Sequence, residues 1–149
     1  MHALRLAEAK CAAVDGAGAF VLAADTVVAL GRRILPKAET EADARTCLTM
    51  LSGRRHRVLT GVAARAPDGT LRRRLATTVV SLKRLEIAEV DRYVACGEWH
   101  GKAGGYAIQG RAERFVRALN GSWSNVVGLP LHDTLNLLEG LGWRPDPCR

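Results

Sequence analysis

Five polar side chains fall where the backbone can approach a ligand closely: Asp25, Thr26, Lys37, Lys102 and Gln109. Asp25 and Thr26 interrupt the apolar run from Phe20 to Leu30. A carboxylate in the middle of a buried strand costs free energy unless it is paired or meets a metal. Lys37 follows shortly downstream, Lys102 lies in the glycine-rich run 101–105, and Gln109 precedes Gly110. Hydrolysis of a phosphoanhydride calls for such a set: a carboxylate to hold a divalent metal or activate water, and cations to take up charge on the phosphates. On residue types alone the same set fits other nucleotide or sugar-phosphate sites. Plainer readings stand beside it: Asp25 as a turn cap, Lys102 as a solvated loop lysine, Gln109 as a strand-end amide that satisfies backbone.

The elements that must position these residues follow from periodicity and turn chemistry. Phe20 to Leu30 reads as a strand buried on both faces, because β-branched and apolar residues run through it without alternation. Before it, Leu4, Ala7, Cys11 and Val14 recur at helical spacing, and Gly16 and Gly18 end that helix. After it, Gly31 permits a turn into a short strand at Ile34-Leu35. Thr40 reads as an N-cap with Glu41 and Asp43 in the first turn, and Ala44, Cys47, Leu48 and Leu51 form the apolar stripe of a helix that Gly53 stops. Arg57 to Ala66 and Thr70 to Leu85 read as strands joined through Pro67-Asp68-Gly69. A helix over Ile87 to Ala95 closes at Gly97, and strands are expected at Tyr106 to Gln109 and at Phe115 to Leu119. Pro130 opens a last helix lined by Leu131, Leu135, Leu138 and Leu141 and ended by Gly142. Strands and helices mix throughout, which predicts an α/β fold on a mixed sheet.

The 149 residues suit one domain with a real core. A net charge of +7 suits anionic ligands, nucleotides or nucleic acid. Much of it lies in Arg54-Arg55-His56-Arg57 and Arg72-Arg73-Arg74, read as solvated strand ends and a hairpin edge. No aromatic residues interleave with these clusters, so base stacking has little support. No apolar run is long enough to span a bilayer, and the charged N-terminal stretch does not read as a signal peptide. Cys11, Cys47, Cys96 and Cys148 are scattered without a CxxC, which points to a reduced, cytoplasmic protein. The histidines form no metal-ligand pattern.

Four segments together resemble a known family: Ala24-Asp25-Thr26-Val27-Val28, Leu51-Ser52-Gly53-Arg54, the run from Lys102 to Gly110, and Asn125-Val126-Val127-Gly128-Leu129-Pro130-Leu131. In this order they are similar to the Maf family of nucleoside triphosphate pyrophosphatases, also described as septum formation inhibitors. The resemblance implies an inosine-triphosphatase-like fold, with two lobes around a cleft. It implies a cytoplasmic, often dimeric enzyme that uses a divalent metal, Mg or Mn, and converts a nucleoside triphosphate to its monophosphate and pyrophosphate. It places Asp25 as proton acceptor or metal ligand, Thr26 and Gln109 where base preference is set, and Lys37 and Lys102 against phosphates. Ile108-Gln109-Gly110 resembles the branch that acts on dTTP and UTP. Pro36-Lys37-Ala38 departs from the family's Gly-Lys-Pro. The family's opening strand and Ser-x-Ser-Pro-Arg-Arg loop are not in these residues, so a truncated domain with slow turnover and an associating strand edge is expected. A nucleotide-binding or division-control protein without turnover, and a basic nucleic-acid-binding module, are the competing readings.

Overall fold

The computed structural model describes residues 1–147; Cys148 lies outside them. Its centre is a five-stranded sheet in the order β2-β1-β3-β4-β5. The strands are β1 (Val21–Leu30), β2 (Arg33–Leu35), β3 (Arg55–Arg65), β4 (Leu71–Leu82) and β5 (Val116–Asn120). The helices are α1 (His2–Ala13), α2 (Glu41–Leu51), α3 (Ile87–Cys96), α4 (Trp123–Val127) and α5 (Leu131–Gly140), with a short 3-10 helix at Arg111–Phe115. The α/β class holds. The sheet differs from the mixed one expected in a single respect: every strand pairing is antiparallel. The helical crossover through α2 does join two parallel strands, β2 and β3, but β1 lies between them.

Strand register assigns each side chain to a face. Ala24, Thr26 and Val28 pair with Val62, Thr60 and Val58, while Ala23, Asp25 and Val27 pair with Ala63, Gly61 and Leu59. The Asp25 face is covered by α1, whose buried residues are Ala3, Ala7 and Cys11. Only small side chains meet there, so helix and sheet come close: a Cβ on Gly61 would sit 2.6 Å from the carbonyl carbon of Ala3. Val14, expected on the helix stripe, is exposed, because the helix has ended before it. The Thr26 face carries the main core, in which Val28, Leu48, Leu51, Val58, Val80 and Tyr93 pack together. Burying a side chain such as Leu48 or Leu51 is worth about 1.5–3 kcal/mol. Further along the same face Leu137 of α5 packs on Val62 and Ala64.

Local chemistry accounts for the ends of the elements. Thr40 accepts from the Asp43 amide, and the Asp43 carboxylate accepts from the amides of Thr40 and Glu39, a reciprocal cap at the start of α2. Hydrogen bonding of the carboxylate to the Thr40 hydroxyl, and then to the Glu39 and Thr40 amides, holds the Asp43 carboxyl below its usual range. Gly97 takes the left-handed conformation, φ 75°, that closes α3. Arg73 meets Glu8 of α1, and Arg74 reaches Asp133 of α5 at 2.8 Å, one on each face of β4. The arginine run is therefore an edge that ties down two helices.

Four expectations are corrected. Tyr106 to Gln109 is not a strand: Gly104 and Gly105 turn the chain at positive φ, the Gly110 amide donates to Ala107 O at 3.2 Å, and the Ala107 amide donates to the Tyr93 hydroxyl at 3.1 Å. The β1 run is not buried throughout: Leu22 is exposed, and Ala23, Ala24, Thr26 and Val27 are only partly buried. The last helix buries Thr134 and Leu137, leaving Leu131 and Leu135 exposed, because Leu137 is the side chain aimed at Val62 and Ala64. The short helix α4 was not expected; Ser122, accepting from the Asn125 amide, caps it. Among the described residues no helix is long and apolar enough to cross a membrane.

Candidate active site

One cleft, about 230 Å³ in volume, is lined by Asp25, Thr26, Lys37, Lys102 and Gln109 together. They arrive from separate parts of the chain: Asp25 and Thr26 from β1, Lys37 from just after β2, and Lys102 and Gln109 from the loop after α3. Adjacent strand residues point to opposite faces, so Asp25 and Thr26 share a cleft only where it wraps around a strand edge. It does. β1 pairs with β3 from Val21 to Ala29 but with β2 only from Val28 to Leu30, and the cleft borders the open stretch at Asp25-Thr26.

On the α1 side Asp25 is 8% exposed, and its Oδ1 accepts from the Lys10 ammonium at 2.6 Å. Lys10 is 52% exposed and also lines the cleft, so one lysine neutralises the carboxylate while facing the ligand space. Sequence reasoning missed Lys10. It lies in the helix preceding β1, and only the packing of Ala3, Ala7 and Cys11 against Gly61 and Ala63 brings it to Asp25. Its one sequence signal is that it borders that small-residue stripe.

Lys37 and Lys102 come together at the other wall. Lys37 bridges Ala103 in antiparallel fashion, the Ala38 amide donates to Lys102 O at 3.1 Å, and the Gly101 amide donates to Ala38 O at 2.8 Å. Both lysines are exposed on this backbone pairing. Three ammonium groups therefore face the cleft against one carboxylate, a balance suited to a polyphosphate.

The Thr26 side is built from neutral hydrogen bonds. Thr26 Oγ1 lies 2.9 Å from Thr60 Oγ1, and Asn125 donates to Val58 O at 3.1 Å and to Thr78 Oγ1 at 2.9 Å. This network seats α4, so that Val126, Val127 and Gly128 form a wall of the cleft. Tyr106 lines the cleft too, its hydroxyl 2.6 Å from His56 Nε2. Burial keeps His56 neutral by lowering its pKa to about 4, and pushes the Tyr106 phenol above its usual range.

A divalent cation fits the cleft in one form only. Among the described residues no three His, Cys, Asp or Glu side chains cluster as ligands, and Asp25 is the single acid lining the cleft. One carboxylate is what Mg²⁺ takes from a protein when substrate phosphates and water supply the remaining ligands. The donor set thus suits a cation that arrives with a phosphate ligand.

The Maf-like protein family matches residues 1–141. The chain belongs to the Maf-like family. Among curated proteins it is 64% identical over 146 residues to a dTTP/UTP pyrophosphatase of Paramagnetospirillum magneticum, covering 97% of this chain and 77% of that protein. A dTTP/UTP pyrophosphatase of Caulobacter vibrioides is also 64% identical over 146 residues, covering 97% of this chain and 76% of its own length. A third, from Maricaulis maris, is 63% identical over 142 residues, covering 95% and 68%.

Proposed function

We propose that this protein is a nucleoside triphosphate pyrophosphatase that hydrolyses dTTP and UTP. The observation that supports this most directly is the convergence of Lys10, Asp25, Lys37, Lys102 and Gln109 on one cleft in a chain so similar to proteins bearing that name. Water adds to the α-phosphorus, the bond from that phosphorus to the bridging oxygen breaks, and the products are the monophosphate and pyrophosphate. Asp25 orients the attacking water and takes its proton. Lys10 pairs with that carboxylate at 2.6 Å in its shielded position and meets the phosphates from the same side. Lys37 and Lys102 take up the charge that develops on the departing pyrophosphate. Asp25 would also hold a divalent cation carried in by the triphosphate; when bound, that cation neutralises phosphate charge and polarises the α-phosphoryl group.

Base choice falls to Gln109 and to Thr26 of β1, both of which line the cleft. A pyrimidine such as thymine or uracil shows carbonyl acceptors flanking an N–H, and a primary amide can donate to one and accept from the other. The free thiols Cys11, Cys47 and Cys96 suit a reducing compartment, and the proposal places the enzyme in the cytoplasm. Arg73 and Arg74 are engaged by Glu8 and Asp133, which favours a nucleotide over a nucleic acid as the anionic partner.

Pyrophosphate release from dTTP, UTP, ATP and GTP tests this reading. The pyrimidine pair should be preferred, and Asp25→Asn should lower turnover by about two to three powers of ten while the far-ultraviolet spectrum is kept. Near-full turnover by Asp25→Asn, or a purine preference in the unaltered protein, would refute it.

A further inference from the structure

The segment from Glu98 to Arg111 carries Lys102, Tyr106 and Gln109 into the cleft. Its middle is well seated. Gly104 lies against Val28 so closely that a Cβ there would be 2.9 Å from the valine Cγ1, and Gly105 lies on Cys47 and Ala44 of α2. Its first residues are held by Trp99, whose indole donates to Val94 O at 2.7 Å. The Gln109 end has no such floor. Past Ile108 the chain leaves the core, Gln109 is exposed, and Gly110 is half-buried. What meets it is Glu98. The Glu98 carboxylate accepts from the Arg111 amide at 2.7 Å, lies 3.9 Å from the Arg111 guanidinium, and presses so closely on Gly110 that a Cβ there would fall 2.2 Å from Oε2.

The geometry points to Glu98 as a positioning residue that clasps the two ends of this segment and so fixes Gln109 for base selection. Glu98 does not line the cleft. It acts on the residues immediately after Gln109, where one charge-assisted hydrogen bond to a backbone amide sets the direction of the chain. Gly110 belongs to the same device, since a side chain there would occupy the place of the carboxylate. The inference rests on the role given to Gln109 under Proposed function, and it adds a residue that governs pyrimidine choice from outside the cleft.

Two variants break the clasp by independent routes. Glu98→Ala removes the carboxylate; Gly110→Ala leaves it in the chain but drives its flexible end aside. Either should raise KM for dTTP and UTP by about ten-fold with a smaller change in kcat, and should narrow the preference over ATP and GTP to that of Gln109→Ala. Glu98→Ala combined with Gln109→Ala should select no worse than Gln109→Ala alone. Glu98→Gln, whose amide oxygen can still accept from the Arg111 amide, should restore most of the preference; a residue that only supported the fold would not produce this split. Glu98→Ala with unaltered KM and base preference overturns the proposal. Backbone amide exchange at Gly110 and Arg111 separates that failure from failure of the underlying reading. Lost protection in Glu98→Ala, with no dTTP or UTP turnover by any form, leaves the clasp standing and removes the assigned substrate. Unchanged protection overturns the clasp whatever the turnover.

Discussion

The imidazole of His56 is 2% exposed, with Tyr106 on Nε2 and, among the described residues, no partner for Nδ1. Among the described residues no carboxylate meets the ring, so charging it places a cation in the core beside a phenol. Burial accordingly lowers its pKa from 6.5 to about 4. In the unfolded chain the ring takes a proton near pH 6.5, whereas in the folded protein it does so only near pH 4. Between those values the unfolded state binds more protons, so acid favours unfolding. The stability from keeping this ring neutral is complete above pH 6.5 and is lost as pH falls through about 4. At about 1.4 kcal/mol per pKa unit the loss is roughly 3 kcal/mol, a large part of the 5–15 kcal/mol that holds a typical domain. Urea unfolding from pH 7 to pH 4, compared with His56→Gln, isolates it. Glutamine keeps an amide for the Tyr106 hydroxyl but does not titrate, and the contributions of surface carboxylates cancel in the difference. The unaltered protein should lose about 3 kcal/mol more than the variant over that range. Parallel curves for the two proteins would refute the assignment of a neutral, shielded His56.

Two further outcomes follow from the packing. Gly61→Ala should destabilise the fold by about 1–3 kcal/mol and lower dTTP turnover, because the new methyl meets the Ala3 backbone and lifts Lys10 away from Asp25; equilibrium unfolding and pyrophosphate release read both effects. Asn125→Ala should cost about 1–3 kcal/mol by leaving Val58 O and the Thr78 hydroxyl without its side-chain amide, and should raise KM as α4 loosens; retention of both stability and KM would show that the Asn125 side chain does not seat α4.

The sequence made most helices and strands legible because their signals were local. Thr40 and Asp43 cap α2, Gly97 closes α3, and the Ala44, Cys47, Leu48 and Leu51 stripe is fully buried. What escaped depended on distant parts of the chain. Tyr106-Ala107-Ile108 has the composition of a strand, yet its backbone bonds go to a tyrosine hydroxyl and a tight turn, which only the packing of α3 makes available. In α5 leucines occupy more than one face, so their spacing could not decide which face docks. The residues gathered in the cleft were visible through their motifs. Lys10 and Glu98 were not, since each works through a partner, Asp25 or the Arg111 amide, that periodicity cannot point to.

The alternation of side chains along β3 has an evolutionary consequence. Odd-numbered positions such as Gly61 and Ala63 touch the helix that presents the ion pair, whereas even-numbered positions such as Val58 and Thr60 hold Asn125 of α4, which walls the cleft. A single strand thus keeps two chemistries in separate compartments. On the roles proposed above, substitutions of one parity act first on the α4 wall, and those of the other parity act first on the helix that presents the Lys10–Asp25 pair. With the roles proposed for Asp25 and Thr26, a change in the accepted nucleotide need not pass through the residues that hold the ion pair.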